Sequence, residues 1–347
     1  MKTVKYEHFI SQNTAPYWAT KIGLYSFKGK RIGSFHLQKL RNPRLGEKLY
    51  SCGVLSDIHF QYDTAQADFE KALAYLNDEE LVDSIFICGD LTSSGTDEEL
   101  QAYKDCIDEH SPNVPVYAIS GNHECRTENV ETRISTYTGQ PLYYSVTKGN
   151  DVFIMLGIVS ETQGSIFAEG ELQWFYETLE ANRNKRCFVF QHVRPQDGCG
   201  NALGLYTYDI WGGTESTVFE SLLRHYKNVI LFHGHSHLKF AMQEYDDTAN
   251  YGNLFGCHSV HIPSLSVPAH NSGSLVEPLY SYYYAGSEGY VMDVYKNHIV
   301  LRGRDFVAEK FLPIATYCID TTPVEIEANT YVDTTGTITM VGGEVTE

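Results

Sequence analysis

The sequence has no Cys-x-x-Cys pair, no internal repeat, no low-complexity tract and no apolar run approaching the ~18 residues of a membrane-spanning helix. It is also short of positive charge. Its 26 Lys and Arg stand against 44 Asp and Glu, a formal net charge of −18. A polyanion such as DNA or RNA would be repelled by the bulk of such a surface. The first eight residues lack the apolar h-region of a signal peptide, so the expected address is cytoplasmic. The eight cysteines carry no paired motif, and Cys52, Cys88 and Cys187 lie in or beside apolar runs. There Cys acts as a small hydrophobe, so the set reads as free thiols in a reducing compartment. With 347 residues, 42% of them hydrophobic and 20% charged, the chain can form one large domain with appendages.

What the chain does have is a recurring arrangement. Ser84, Ile85, Phe86, Ile87 and Cys88 make a short apolar run that ends in Gly89 and Asp90, the pattern of a strand buried on both faces. The runs at 50–55, 116–119, 187–190 and 229–232 end in the same way. They deliver Asp57 and His59, then Asn122 and His123, then His192, then His235 and His237. Open α/β sheets place ligands beyond the carboxyl ends of their strands. Five runs delivering Asp, Asn or His therefore point to one site at one edge of a sheet.

The chemistry of that set is metal binding. Asp and His ligate divalent transition metals, and Asn adds a carbonyl oxygen. Asp57-x-His59 and His235-x-His237 have period-two spacing, which lets both members converge at a strand end. Eight candidates exceed the four ligands of a closed structural zinc site, and one carboxylate can bridge two ions. The count suggests two metals. Pairs about 3.5–4 Å apart stabilise both the attacking and leaving oxygens of an in-line displacement.

The order D-x-H, G-D, G-N-H-E, H, G-H-x-H resembles the calcineurin-like metallophosphoesterases over Asp57 to His237, more than half the chain. The resemblance implies an α/β (α+β) fold, a four-layer αββα sandwich of two mixed sheets flanked by helices. It implies a first metal on Asp57, His59 and His237, a bridging Asp90, and a second metal on Asn122, His192 and His235. The ions would be Mn, Fe or Zn. It further implies that His123 contacts the phosphoryl oxygens and protonates the leaving group, and that Glu124 orients His123.

Around this core the organisation is legible. Residues 1–48 read as an N-terminal β-hairpin extension, alternating on either side of Lys28-Gly29-Lys30 and locally basic. Residues 49–310 carry the metallophosphoesterase domain. Helices are expected at 65–76, 96–109, 169–179 and 215–226, the second opened by Thr96 and Glu99 as a capping box. Strands are expected at 142–146, 151–159, 258–262, 289–295 and 298–302. Residues 311–347 form a C-terminal tail, β or loosely ordered. His233 reads as packing.

The expected partner is a small phosphorylated substrate, a phosphodiester or phosphomonoester. Arg194 and Arg126 are candidates for its phosphate, because guanidinium forks onto phosphate oxygens. The aromatic loop at 193–213 is a candidate lid, and the tyrosines of 279–285 either stack a base or pack as a strand. The rival readings are a catalytically silent metal-binding scaffold and a nuclease of the same fold. The charge argues against long nucleic acid, and no membrane contact is expected.

Overall fold

The apolar runs form the parallel centres of two six-stranded mixed sheets. The computed structural model describes residues 3–8, 20–25, 31–36, 45–323 (apart from 62–63, 162–165, 196–198, 206–212, 255–256, 276 and 283–285), 325–326, 330–333 and 338–341. In chain order the strands are β1 (Thr3–His8), β2 (Thr20–Tyr25), β3 (Arg31–His36), β4 (Lys48–Leu55), β5 (Ser84–Ile87), β6 (Val116–Ala118), β7 (Tyr143–Lys148), β8 (Asp151–Leu156), β9 (Arg186–Gln191), β10 (Val229–His233), β11 (Tyr251–Leu254), β12 (Cys257–His261), β13 (Ala269–Asn271), β14 (Tyr280–Tyr282), β15 (Glu288–Tyr295), β16 (His298–Asp305), β17 (Lys310–Asp320), β18 (Thr330–Asp333) and β19 (Ile338–Val341). The helices are α1 (Ala65–Ala74), α2 (Asp97–His110), α3 (Val130–Thr138), α4 (Glu171–Ala181) and α5 (Gly213–His225).

One sheet has the order β17-β16-β15-β4-β5-β6 and the other β11-β12-β10-β9-β8-β7. Strands β4, β5 and β6 run parallel in the first, and β8, β9, β10 and β12 in the second. Their antiparallel neighbours lie toward the edges. Parallel strands are covered on both faces, and three apolar layers do so here. Phe86, Phe153, Phe188, Phe190, Phe232 and Met292 pack between the sheets. Leu55, Phe69, Leu73, Leu100 and Ile134 fill the space under α1, α2 and α3. Phe175, Leu179, Phe219 and Leu223 do the same under α4 and α5. The result is helix, sheet, sheet, helix.

Stacked phenylalanines hold the sheets face to face. Phe86, on the first sheet, stacks on Phe153 with centroids 4.3 Å apart and planes 9° from parallel, and on Phe190 at 5.2 Å and 17°, both on the second. At the opposite end from the ligand-bearing loops, Arg186 forks onto both oxygens of Asp151 at 2.7 and 2.8 Å, while the Tyr50 hydroxyl donates to the same carboxylate at 2.6 Å. The third Arg186 nitrogen, Nη1, donates to the Tyr295 carbonyl, so this buried clamp joins the two sheets at the start of their strands.

The first sheet runs on through β17, past the expected boundary at 310. Pro313 obscured that strand in the sequence; it lies where the register between β16 and β17 shifts, on an edge strand where a missing N–H is tolerated. The periodicity reading did not anticipate α3, β11 or β13, whereas β14 falls in the tyrosine cluster for which a strand was one of the two readings. The hairpin expected near the N-terminus is present as β2 and β3, with β1 added alongside, and its turn at 28–30 lies outside the described residues. In the tail, β18 pairs with β19. Among the described residues no helix is long and apolar enough to cross a membrane.

The capping box at Thr96 and Glu99 is formed on both sides. Thr96→Ala is expected to cost about 1 kcal/mol and Phe153→Ala about 3–5 kcal/mol in urea unfolding. Equal costs would show that the inter-sheet stack is not the stronger constraint.

Candidate metal centre

The five ligand-bearing loops leave β4, β5, β6, β9 and β10 at their carboxyl ends. They interlock through the backbone. The N–H groups of Asp57, His59 and Phe60 donate to the carbonyls of Gly89, Asp90 and Leu91 at 3.1, 3.1 and 3.2 Å. The Gly234 N–H donates to the His192 carbonyl at 3.0 Å. Ser56 Oγ donates to the Cys88 carbonyl at 2.9 Å within the first sheet, and His192 Nδ1 donates to the same carbonyl at 2.6 Å across the seam between the sheets.

Two donor groups result, and they share Asp90. Asp57, His59, Asp90 and His237 form one; Asp90, His192 and His235 form the other, with donor atoms in each within 4.8 Å of one another. All of these residues are buried. His237 Nε2 lies 3.0 Å from Asp57 Oδ1 and 3.1 Å from His59 Nε2. His192 Nε2 lies 3.2 Å from both Asp90 Oδ2 and Asn122 Oδ1, so Asn122 stands beside the second group. His123 Nε2 is 3.8 Å from Asp90 Oδ2, and its ring is the more open one at 14% exposure.

This arrangement fits divalent cations. Asp90 Oδ1 accepts the His123 backbone N–H at 2.9 Å, whereas its buried Oδ2 accepts no hydrogen bond. That oxygen faces a histidine of each donor group, 3.7 Å from His59 Nε2 and 3.2 Å from His192 Nε2, and a buried carboxylate oxygen left in this state calls for positive charge. The imidazoles are oriented for the same purpose. Nδ1 of His192 and of His237 donates to a main-chain carbonyl, of Cys88 and Val267 respectively, which turns Nε2 inward as the ligating atom.

The electrostatics reflect crowding of unlike charges. Burial raises the Asp57 and Asp90 carboxyls, but neighbouring imidazoles outweigh it: His237 and His192 bring Asp57 down, and His192 and His123 bring Asp90 down. Burial disfavours charge on His192, yet Asp90 and Asp57 lift it to about 10. His59 and His235, where burial prevails, fall to about 4 and about 3.

Two residues act differently from the sequence expectation. Glu124 makes no hydrogen bond to the His123 ring. Its carboxylate accepts the Thr92 N–H and hydroxyl at 2.9 and 2.7 Å and the Gly121 N–H at 2.7 Å, so it clamps the loop after β5 to the loop after β6. Burial, then Asp90, pushes it up to about 7. The Ser93 carbonyl holds His123 instead, accepting from Nδ1 at 2.6 Å, and Arg126 donates to the same carbonyl at 2.9 Å. Arg194 is buried and donates to the Pro195 carbonyl; burial above all, with Arg194 adding to it, disfavours protonation of His233 and His261. His233 packs against Cys199 and Ser259.

Sequence reasoning missed the loop at 264–267. Ser264 donates to the Asp57 carbonyl, Ser266 to the Ile58 carbonyl, and the Val267 carbonyl holds His237. Two serines bracketed by Pro263 and Pro268 were the available signal. Tyr282 sets its ring 5.7 Å from that of His237, which places the end of β14 beside the centre. Tyr206, Tyr208, Trp211, Tyr283 and Tyr284 lie outside the described residues.

Close approach requires two glycines. A methyl group on Gly121 would come within 2.2 Å of Asp90 Oδ1, and one on Gly89, which has φ +84°, within 2.6 Å of the His192 ring. Gly121→Ala is therefore expected to lower metal content several-fold with the far-ultraviolet circular dichroism unchanged. Full metal content would show that this carboxylate has room to shift. Glu124→Gln should keep its metal but lose about 10–100-fold in turnover; unaltered turnover would show that the loop clamp is dispensable.

The sequence model of the calcineurin-like phosphoesterase family matches residues 51–239. A probable glycerophosphodiester phosphodiesterase GpdQ of Arcobacter nitrofigilis is 26% identical over 118 residues, a match that spans 33% of this chain and 42% of that protein's length. Among solved structures, purple acid phosphatase PPD1 from yellow lupin (Lupinus luteus) seeds aligns with a TM-score of 0.55 at 15% identity, covering 87% of this chain and 59% of that one. GAP50, described as the anchor in the inner membrane complex of Plasmodium, aligns with a TM-score of 0.56 at 12% identity, covering 81% and 91%. At these identities the structural likenesses establish the fold. The family match covers more than half of the chain and includes all five ligand-bearing loops, so the protein belongs to the calcineurin-like phosphoesterase family.

Proposed function

We propose that the chain is a dinuclear metal-dependent phosphohydrolase that cleaves a small phosphodiester or phosphomonoester. The observation that carries this reading is the pair of donor groups sharing Asp90, with His123 beside the shared carboxylate. Asp57, His59 and His237 would hold one ion, Asn122, His192 and His235 the other, and Asp90 both. The bound ions, Mn, Fe or Zn by their mixed oxygen and nitrogen ligands, would lower the pKa of water to give a nucleophile at neutral pH and would neutralise phosphoryl charge.

The chain's own residues do the rest. A P–O bond forms to the water oxygen and the bond to the leaving group breaks. His123 donates the proton to the departing oxygen. Its Nδ1 is committed to the Ser93 carbonyl, so Nε2 is the atom that carries that proton. Arg126, tied to the same carbonyl, is half exposed and paired with Glu161 at 3.4 Å, so it would have to exchange that carboxylate for a phosphate oxygen. The diester side of the proposal gains support from the printed name of the Arcobacter relative. The net charge of −18 favours a small substrate over a long nucleic acid. All eight thiols are free, which supports a reducing compartment, and we place the protein in the cytoplasm.

The test is turnover of bis-p-nitrophenyl phosphate beside p-nitrophenyl phosphate, with metals counted on the same sample. Two ions with turnover of either ester are expected; bound metal with no turnover of either would favour a silent binding role. Asp90→Asn keeps the side-chain shape and tolerates the φ of 50°, and it is expected to abolish turnover with the fold kept. His123→Ala should retain metal and lose about 10²–10⁴-fold, most for esters with poor leaving groups. A uniform loss across leaving groups would argue against its acid role.

A further inference from the structure

A separate set of metal donors lies on the outer helical layer. Cys106 and His110 are four residues apart on α2 and so share one face of the helix. Glu70, on α1, meets them. Sulfur, imidazole nitrogen and carboxylate oxygen lie within 4.8 Å of one another, and His110 Nε2 stands 3.8 Å from Glu70 Oε1. Cys106 is 5% exposed within the apolar layer under the helices, while the side chains of His110 and Glu70 are 32% and 35% exposed. None of the three belongs to the donor groups of the central site.

Each contact has a plain structural reading. A buried Cys packs as a small hydrophobe, and a half-exposed His–Glu pair contributes only about 0–1 kcal/mol. The three together form a different object. Thiolate, imidazole and carboxylate are the zinc donor set, and a sulfur ligand selects against Mg and Ca. Ligand bonds of about 2.0–2.3 Å ask the donors to close by roughly an ångström. His110 and Glu70, at the water-facing rim, have the rotamer freedom to do so around a fixed sulfur. Three protein ligands leave one position for water.

We infer that Cys106, His110 and Glu70 bind a zinc-class divalent cation that fastens α2 to α1. The placement has a mechanical consequence. α1 follows the loop that carries Asp57 and His59, and α2 follows the loop that carries Asp90. A cation here would join the helices that leave both sides of the central site. Burial, with Glu70 and Glu109 beside it, pushes the Cys106 thiol up to about 12. Binding would therefore release that proton to solvent as the sulfur–metal bond forms.

Cobalt(II) is the discriminating probe, because the donor groups of the central site contain no sulfur. Titrating the metal-stripped full chain with Co(II) is expected to produce a near-ultraviolet thiolate charge-transfer band. Cys106→Ser should abolish the band and lower the zinc stoichiometry by one equivalent, with phosphoesterase turnover within twofold of wild type. Since Cys106 is buried, His110→Ala at the rim serves as the variant that leaves the core packing intact. It should weaken cobalt binding at this site at least tenfold. Absence of the band in the wild-type chain, its persistence in Cys106→Ser, or unaltered affinity in His110→Ala would each overturn the assignment.

Discussion

Two carboxylates, Asp57 and Asp90, are withdrawn from water at the seam between the sheets, and the surrounding structure answers the cost. An uncompensated buried charge is penalised by several kcal/mol. Here the compensation comes from imidazoles delivered by three other loops and from main-chain donors. The His235 N–H points at Asp57 and the His123 N–H at Asp90. None of these donors is adjacent in the chain to the carboxylate it serves. The compensation therefore exists only if five strands end in register, and that depends on the stacking of Phe86 on Phe153 and Phe190 between the sheets and the Arg186 clamp at their far end.

The same demand appears in the backbone. Asp57, His59, Asp90, His235 and His237 all have positive φ, between 50° and 70°. Asp, Asn and His enter this region more readily than other non-glycine residues, yet each such residue costs of the order of 1–3 kcal/mol. The strain persists because the loops are over-determined. The three backbone bonds from Asp57, His59 and Phe60 to the Asp90 loop leave no alternative path, and Gly89 lets that loop pass against the His192 ring. The left-handed turns bring residues two apart in sequence toward one centre instead of leaving them on one face of a strand.

Much of this was legible in the primary structure. Short β-branched and aromatic runs bounded by Gly gave the central strands, since a strand buried on both faces has little freedom in composition. The capping box at Thr96 and Glu99 was readable because its two partners are three residues apart. The third helix was not, because Val130 to Thr138 is polar and begins from Asn129 in a left-handed conformation without a side-chain cap. Strand β17 was hidden by its proline. For the site, the order of the Asp, Asn and His residues at the strand ends was apparent, whereas the role given to Glu124 was not. Adjacency to His123 suggested a contact, but a short 3₁₀ turn begins at Glu124, and its carboxylate reaches Thr92 and Gly121 instead.

By itself the sequence determined which chemical groups are available and in what order strands deliver them, because strand periodicity and glycine placement are local properties. It also determined the charge that disfavours polyanionic substrates. Only the tertiary structure decided which groups meet. The sharing of Asp90 by two donor groups, the hold of Ser93 on His123, the support of Asp57 and His237 by the loop at 264–267, and the approach of Glu70 to Cys106 and His110 all join segments from different elements. Such contacts depend on how sheets and helices pack in three dimensions, and no spacing along a single strand or helix encodes them.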